Sequence, residues 1–226
     1  MIVTIDGPAG SGKSAAAYRL ATRLGWPFLD TGAMYRAVAL DALEKGVLHD
    51  PAGMAARARE MNLDFHWDHQ PPAIWIDDRD ITDEIRRPRV TEVTYLAADN
   101  PDVRAELVRR QRAIAERLRT LVSEGRDQGS IVFPNAEFKF YLDADSTERA
   151  HRRIVQMRAK GLEVDENEIR AAINLRDYRD RVRQVGPLMR PSDSRLIDTT
   201  TLTLDEVVDL MAKTVEAARH NAPASA

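Results

Sequence analysis

Residues 5–15, IDGPAGSGKSA, decide the fold. Gly7, then Pro8, Ala9, Gly10 and Ser11, then Gly12, Lys13 and Ser14 match the spacing of a phosphate-binding loop. The flanks agree with it. Ile2 to Ile5 is a short apolar, β-branched run that reads as a buried strand, and Lys13 to Leu24 is alanine-rich with Leu20 and Leu24 at helical spacing. The glycines permit torsions that turn successive N–H groups inward around phosphates, and the new helix adds its positive end. Lys13 is placed to reach terminal phosphates, and the Ser14 hydroxyl suits a magnesium ion. Gly7 to Gly12 with Lys13, Ser14 and Ala15 are therefore the expected site for a nucleoside triphosphate, with ATP as the nucleotide and Ser14 as the metal ligand.

Outward from this loop, strands and helices alternate. Residues 26–29 read as a second strand and 35–43 as a second helix. Two β segments at 63–68 and 73–82 flank Pro71-Pro72, and helical patterns run from about 88 to 121. The apolar runs IVFP (131–134) and FKFYLDA (138–144) read as two buried strands. Two charged helical stretches at 146–160 and 165–184, a last strand at 195–200 and a last helix at 203–219 complete the pattern. Short buried strands alternating with helices predict an α/β fold, a parallel five-stranded sheet with helices on both faces. A small β-containing insertion and a helical lid interrupt it. The expected organisation is a single domain. Its core is 1–36, 111–147 and 186–220, with an insertion of about 37–110, a lid of about 148–185 and a disordered tail at 221–226.

Composition narrows the class. The chain has 226 residues, a formal net charge of −3 and no cysteine. That balance argues against a nucleic-acid or anionic-membrane partner, and no cysteine means no disulfide. Five lysines leave 28 of the 33 basic residues as arginine, the side chain that forks onto phosphates, although a base bias in the genome gives the same count. No stretch approaches the ~20 apolar residues of a membrane span, and the strand-like start carries no signal-like core, so a cytoplasmic location is expected. No long exposed apolar stripe stands out, so a monomer is expected. With no Asn-Lys-x-Asp run for guanine, a chain of 25.4 kDa with a phosphate loop fits a small-molecule kinase bearing an acceptor insertion and an arginine-bearing lid.

Further stretches follow in order: FLDTGAMYRAVAL, EGRDQGSIVFPNAEFKFYLDAD, ERAHRR, RDYRDRVRQVGPL and LIDTTTLTLDEVV. Together with the loop they resemble bacterial cytidylate kinases, of the nucleoside monophosphate kinase group, from about residue 2 to residue 210. The resemblance implies phosphoryl transfer from ATP to CMP or dCMP. It implies that Arg36 binds the acceptor phosphate, with Thr31 and Tyr35 as hydrogen-bonding neighbours. Asp30 either orients magnesium-bound water or caps the turn after it. Cytosine offers an amino donor at N4 and acceptors at N3 and O2, so Asp127 is the candidate reader of N4 and Arg104 the candidate donor. Arg126 suits the acceptor phosphate. Arg176, Asp180 and Arg183 fall at i, i+4 and i+7 on one helix face. Asp180 is implied to hold ribose hydroxyls, and the two arginines phosphates or sugar. Lys13, Arg126, Arg176 and Arg183 form the expected catalytic set, with Arg149 and Arg153 as secondary candidates.

Three residues depart from the family's pattern. Tyr95 stands where a serine is usual, Gln128 where an apolar residue is usual, and Ser130 in place of threonine. They leave the phosphate chemistry alone and bear on base preference. Two other functions remain: a kinase for UMP or a small metabolite, and a nucleotide-binding module without catalysis. Trp67 and Trp75 are expected in the core of the small sheet, and His66 and His69 on its surface.

Overall fold

The structure is a computed structural model and describes residues 1–159 and 161–221. The first half runs β1 (Ile2–Asp6), α1 (Lys13–Leu24), β2 (Phe28–Asp30), α2 (Thr31–Glu44), α3 (Pro51–Glu60), β3 (Leu63–His66), β4 (Ala73–Ile76) and β5 (Arg79–Asp80). Next come α4 (Pro88–Thr91), α5 (Thr94–Asp99), α6 (Pro101–Leu118), β6 (Leu121–Gly125), β7 (Phe138–Asp143), α7 (Ser146–Arg158), α8 (Glu166–Val182), β8 (Arg195–Asp198) and α9 (Leu204–Asn221). The expected disordered tail begins at a residue that ends α9, and 222–226 lie outside the described residues.

Five strands form the parallel sheet in the order β2-β6-β1-β7-β8. In its register Val3 lies opposite Phe138 and Asp6 opposite Tyr141, while Phe140 lies opposite Arg195. The strand count is as expected, but one strand is not. IVFP is not a strand: residues 128–132 form a single π-helical turn, and β6 is the strand before it. All five β6 residues are buried, including Ser123 and Glu124. Their polar groups are satisfied, since Ser123 Oγ donates to Gln128 Oε1 at 2.8 Å and Glu124 Oε2 accepts from Ser14 Oγ at 2.9 Å. A strand whose polar side chains meet partners from distant elements loses its apolar signature without losing stability. The turn after it is held by Asp6, whose two carboxylate oxygens accept from the backbone N–H groups of Gln128 (2.9 Å) and Gly129 (2.7 Å).

The chain divides into two compact units, one of Met1–Trp26 with the residues from Val122 onward, the other Pro27–Leu121. In the first, α1 packs on α9, and α7 on α8. The apolar layer around β1 and β7 includes Val3, Ile5, Phe140 and Leu142, all nearly inaccessible. Helix α8 buries only Ile173 and Asp177, whereas Leu175, Tyr178 and Val182, at i, i+3 and i+7, are half or more exposed. This short stripe is not evident from composition.

In the second unit, α2 packs on α3 and α5, and α3 on α6. Helix α3 went unassigned in the sequence, although Asp50-Pro51 is a start signal: Asp50 Oδ1 accepts from the Ala52 N–H at 3.1 Å, and Pro51 stands in the first turn. Such a cap contributes ~1 kcal/mol. The helical stretch expected from 88 to 121 is three helices, and the second break falls where Asn100 caps α6 through bonds from the Asp102 and Val103 N–H groups. Strands β3, β4 and β5 form the small antiparallel sheet. Trp67 and Trp75 are half-buried rather than core. Trp75 stacks on His66 with ring centroids 4.5 Å apart, so His66 is part of a ring stack, not a bare surface residue. No helix among the described residues is long and apolar enough to cross a membrane.

Candidate active site

The phosphate loop begins where β1 ends. Gly7 has φ 151°, and a Cβ there would lie 2.0 Å from the Leu142 carbonyl oxygen of β7, so only glycine lets the chain leave the sheet at this point. Gly10 and Gly12 follow at φ 79° and 82°. Lys13 opens α1 and is buried; its Nζ donates to the Pro8 carbonyl oxygen at 3.0 Å and lies 3.6 Å from Glu124 Oε1. Burial first, then the Arg126 charge, pull its pKa down to about 7, with Glu124 pulling the other way. Ser14 is bonded to the other oxygen of the same carboxylate. Glu124 thus joins the two residues that the loop pattern assigns to phosphate and metal. It lies in the quoted motif, but the sequence reading gave it no role, because its partner Ser14 lies 110 residues away.

A cluster of arginines and a carboxylate stands in the same unit. Arg126 Nε donates to Asp180 Oδ2 at 2.7 Å, and its Nη1 is 4.0 Å from Glu124. Burial works against the Arg126 charge, but Asp180 and Glu124 outweigh it and its pKa is raised. Burial pushes Asp180 up, but Arg126 and Arg176 more than offset this and hold it below the usual carboxylate range. Arg183 Nη1 lies 3.6 Å from Asp180 Oδ1. The three lid residues do not share one helical face. Helix α8 ends at Val182, and Arg183 is extended (φ −60°, ψ 144°) with its Nε donating to the Gly186 carbonyl oxygen at 2.5 Å. The side chain reaches Asp180 from beyond the helix end. Arg176 is exposed, and its charge acts on both Lys13 and Asp180.

Asp127 is buried at the start of the π turn, and its carbonyl oxygen accepts from the Ile131 and Val132 N–H groups. Gln128, 1% exposed, turns its side chain to Ser123. Arg149 is not available to a phosphate. Its guanidinium donates to Ala144 and Ala9 carbonyl oxygens and to Asp177.

Within the second unit, Asp30 takes the capping role, accepting from the Ala33 N–H at 3.0 Å, and it also accepts from Arg86. Thr31 and Tyr35 are buried on α2, and Arg36 is partly exposed. Arg104 is 2% exposed, with its guanidinium carbon 5.3 Å from the centre of the Tyr35 ring and Nη1 donating to the Ala98 carbonyl oxygen. The structure thus brings together Tyr35 and Arg104 here, and Lys13, Ser14, Arg126, Asp180 and Arg183 in the other unit. Tyr95 is exposed at 38%.

The family profile of cytidylate kinase matches residues 3–217. The chain belongs to the cytidylate kinase family. It is 43% identical over 216 residues to the cytidylate kinase of Nocardia farcinica, covering 95% of this chain and 93% of that one. To that of Rhodopirellula baltica it is 42% identical, covering 100% and 98%. Among solved structures, an uncharacterized protein from Eubacterium ventriosum shares the fold, with a TM-score of 0.55 at 17% identity over 96% of this chain and 98% of the other. In this cytidylate kinase family member the loop, Glu124 and the Arg126–Asp180–Arg183 cluster form a basic site around one buried lysine.

Proposed function

We propose that the chain transfers the γ-phosphoryl group of ATP to CMP or dCMP, giving ADP and CDP or dCDP. The observation that carries this is the convergence of Lys13, Arg126 and Arg183 on two carboxylates beside the phosphate loop. Phosphoryl transfer asks mainly for in-line positioning and for positive charge around the transferred group. Lys13 and the N–H groups of residues 7–15 hold the donor phosphates. Arg126, Arg176 and Arg183 neutralise charge on the group in flight, and each such arginine is worth ~10³-fold or more in turnover. An open cavity of about 430 Å³ lined by Ser11, Gly12, Ala15, Arg152, Thr200 and Leu202 adjoins the loop and takes the nucleoside of ATP.

The Ser14 hydroxyl and the Glu124 carboxylate offer the hard oxygen donors that magnesium takes. Among the described residues no three His, Cys, Asp or Glu side chains cluster as metal ligands, so Ser14 and Glu124 are the protein groups that would hold it. Bound there, magnesium would offset charge on the donor phosphates.

On the acceptor, the family resemblance gives the phosphate to Arg36 and Arg126, with Thr31 and Tyr35 as hydrogen-bonding neighbours, and the ribose to Asp180; Asp30 caps the turn before them. Asp127 accepts from the N4 amino group and Arg104 donates to N3 and O2. Incubation with Mg²⁺ and ATP labelled at the γ position tests the proposal: labelled CDP from CMP is expected. Label released only as inorganic phosphate, or none released by folded, ATP-bound protein, would leave a hydrolase or a binding module.

A further inference from the structure

A second buried ion pair in the first unit has no part in the transfer as proposed above. Arg149 of α7 and Asp177 of α8 are 4% and 2% exposed. Arg149 Nη1 donates to Asp177 Oδ2 at 2.5 Å and to the Ala9 carbonyl oxygen at 2.8 Å, and Asp177 Oδ1 accepts from the Ala9 N–H at 3.2 Å. Both backbone groups of one phosphate-loop residue are therefore held by one ion pair from two helices. Arg149 Nε is fixed in turn on the Ala144 carbonyl oxygen, just past β7, at 3.0 Å. The next residue, Gly10, sits so close to α7 that a Cβ would come within 3.1 Å of Arg149 Cβ and 3.2 Å of its carbonyl oxygen.

Helix α8 has one other buried side chain, Ile173, and its remaining ties are polar, from Asp180 to Arg126 and Arg183. A helix with one apolar anchor takes its rotation and height from whichever polar contact is buried and directional, and a buried charge pair works only with both partners present. Asp177 is flanked by Arg176 and, one turn later, Asp180, which pairs with Arg126. The phosphate loop, for its part, carries three glycines at positive φ and so has weak conformational preferences of its own.

We propose that Arg149 and Asp177 are positioning residues: together they clasp the Ala9 peptide and fix the crest of the phosphate loop to α7 and α8. The donor phosphates and the residues Arg176 and Asp180 are thereby kept in one register. The pair touches neither substrate and acts through the loop. This rests on the kinase activity proposed above.

Asp177→Asn tests it, with three readouts. Backbone amide exchange at Ala9 is followed by NMR, affinity for a non-hydrolysable ATP analogue by calorimetry, and kcat and KM with CMP by ADP release. In the variant, Ala9 exchange is expected to accelerate ~10-fold or more while the amides of β1 keep their protection. The analogue should bind more weakly, and kcat should fall ~10- to 100-fold with KM for CMP nearly unchanged, since small misplacements at a transfer site cost that much. Wild-type exchange at Ala9 together with wild-type kcat would overturn the proposal, as would exchange accelerated equally throughout the unit. Should Asp177→Asn not fold, Arg149→Lys keeps the charge but loses the three-way donation, and the same outcomes decide. Exchange and analogue binding need no acceptor, so a failure of the CMP kinase activity, seen as no CDP from the wild-type protein, is distinguished from a failure of the clasp.

Discussion

Lys13 keeps its amine buried, and its charge depends on the groups around it. Burial and Arg126 hold its pKa near 7, against about 10.5 in an unfolded chain. Between those values the unfolded chain binds the extra proton, so this group's contribution to stability rises as pH rises from about 7 to 10. Donor phosphates reverse the local balance and favour the ammonium form. ATP binding at pH 8 is therefore expected to take up most of one proton, read by calorimetry in buffers of different ionisation enthalpy. No uptake between pH 7 and 9 would mean that the lysine is already charged. Asp6 shows the opposite sign. Burial raises its pKa to about 7 despite the bonds from Gly129 and Gln128. The folded protein then holds the extra proton between about pH 4 and 7, so this group's stabilising contribution is lost as pH rises through 7. Asp6→Asn should flatten that part of the stability profile, measured as urea midpoints from pH 4 to 8; an unchanged slope would assign it to other groups. The sequence displayed Lys13 and Ser14 because their spacing is local. Glu124 and Asp177 could not be assigned from it, because a carboxylate becomes part of a site through partners that lie 110 and 168 residues away.

The elements that were legible are those whose signal is local. Helix α1 has the predicted bounds, and β1, β7 and β8 were placed within a residue or two, because an apolar run beside a glycine or a cap needs no tertiary knowledge. The exception is instructive. IVFP has the apolar run of a strand and forms a π turn, whereas LVSEG carries a serine and a glutamate and forms the strand. Asp6 draws the two N–H groups of 128 and 129 out of any ladder, and Gln128 and Ser14 satisfy the polar residues of β6. Burial of paired polar groups leaves no periodic trace. Gln128, which departs from the family's pattern, belongs to this packing. Gln128→Met should change thermal stability, with the CMP-to-dCMP ratio of kcat/KM within about two-fold of wild type, since a buried uncharged hydrogen bond is worth ~1 kcal/mol. A shift of that ratio by ten-fold or more would put residue 128 at the acceptor. At the loop, Gly7→Ala meets the Leu142 carbonyl oxygen at 2.0 Å. It is expected to abolish measurable ATP binding and to destabilise the protein by ~2 kcal/mol or more, because neither backbone can yield cheaply. Wild-type ATP affinity by calorimetry would contradict that.

Across the whole chain, the phosphate loop gave the sequence its class and the later motifs its family, and the family match spans 3–217. The proposed choice of acceptor rests on residues that the motifs name singly: Asp127 in the first unit, Arg104 with Tyr35 in the second. Uracil would turn a lone pair at O4 toward the Asp127 carboxylate in place of the N4 amino group, a repulsive exchange. Sites that match a polar group in this way can discriminate by ~10⁴-fold or more. The measurement to make is kcat/KM for CMP and for UMP, by ADP release with saturating Mg²⁺-ATP on the same preparation. We expect CMP to exceed UMP by ~10²-fold or more. Equal turnover of the two, or preference for UMP, would contradict the assignment of cytosine as the base this protein selects.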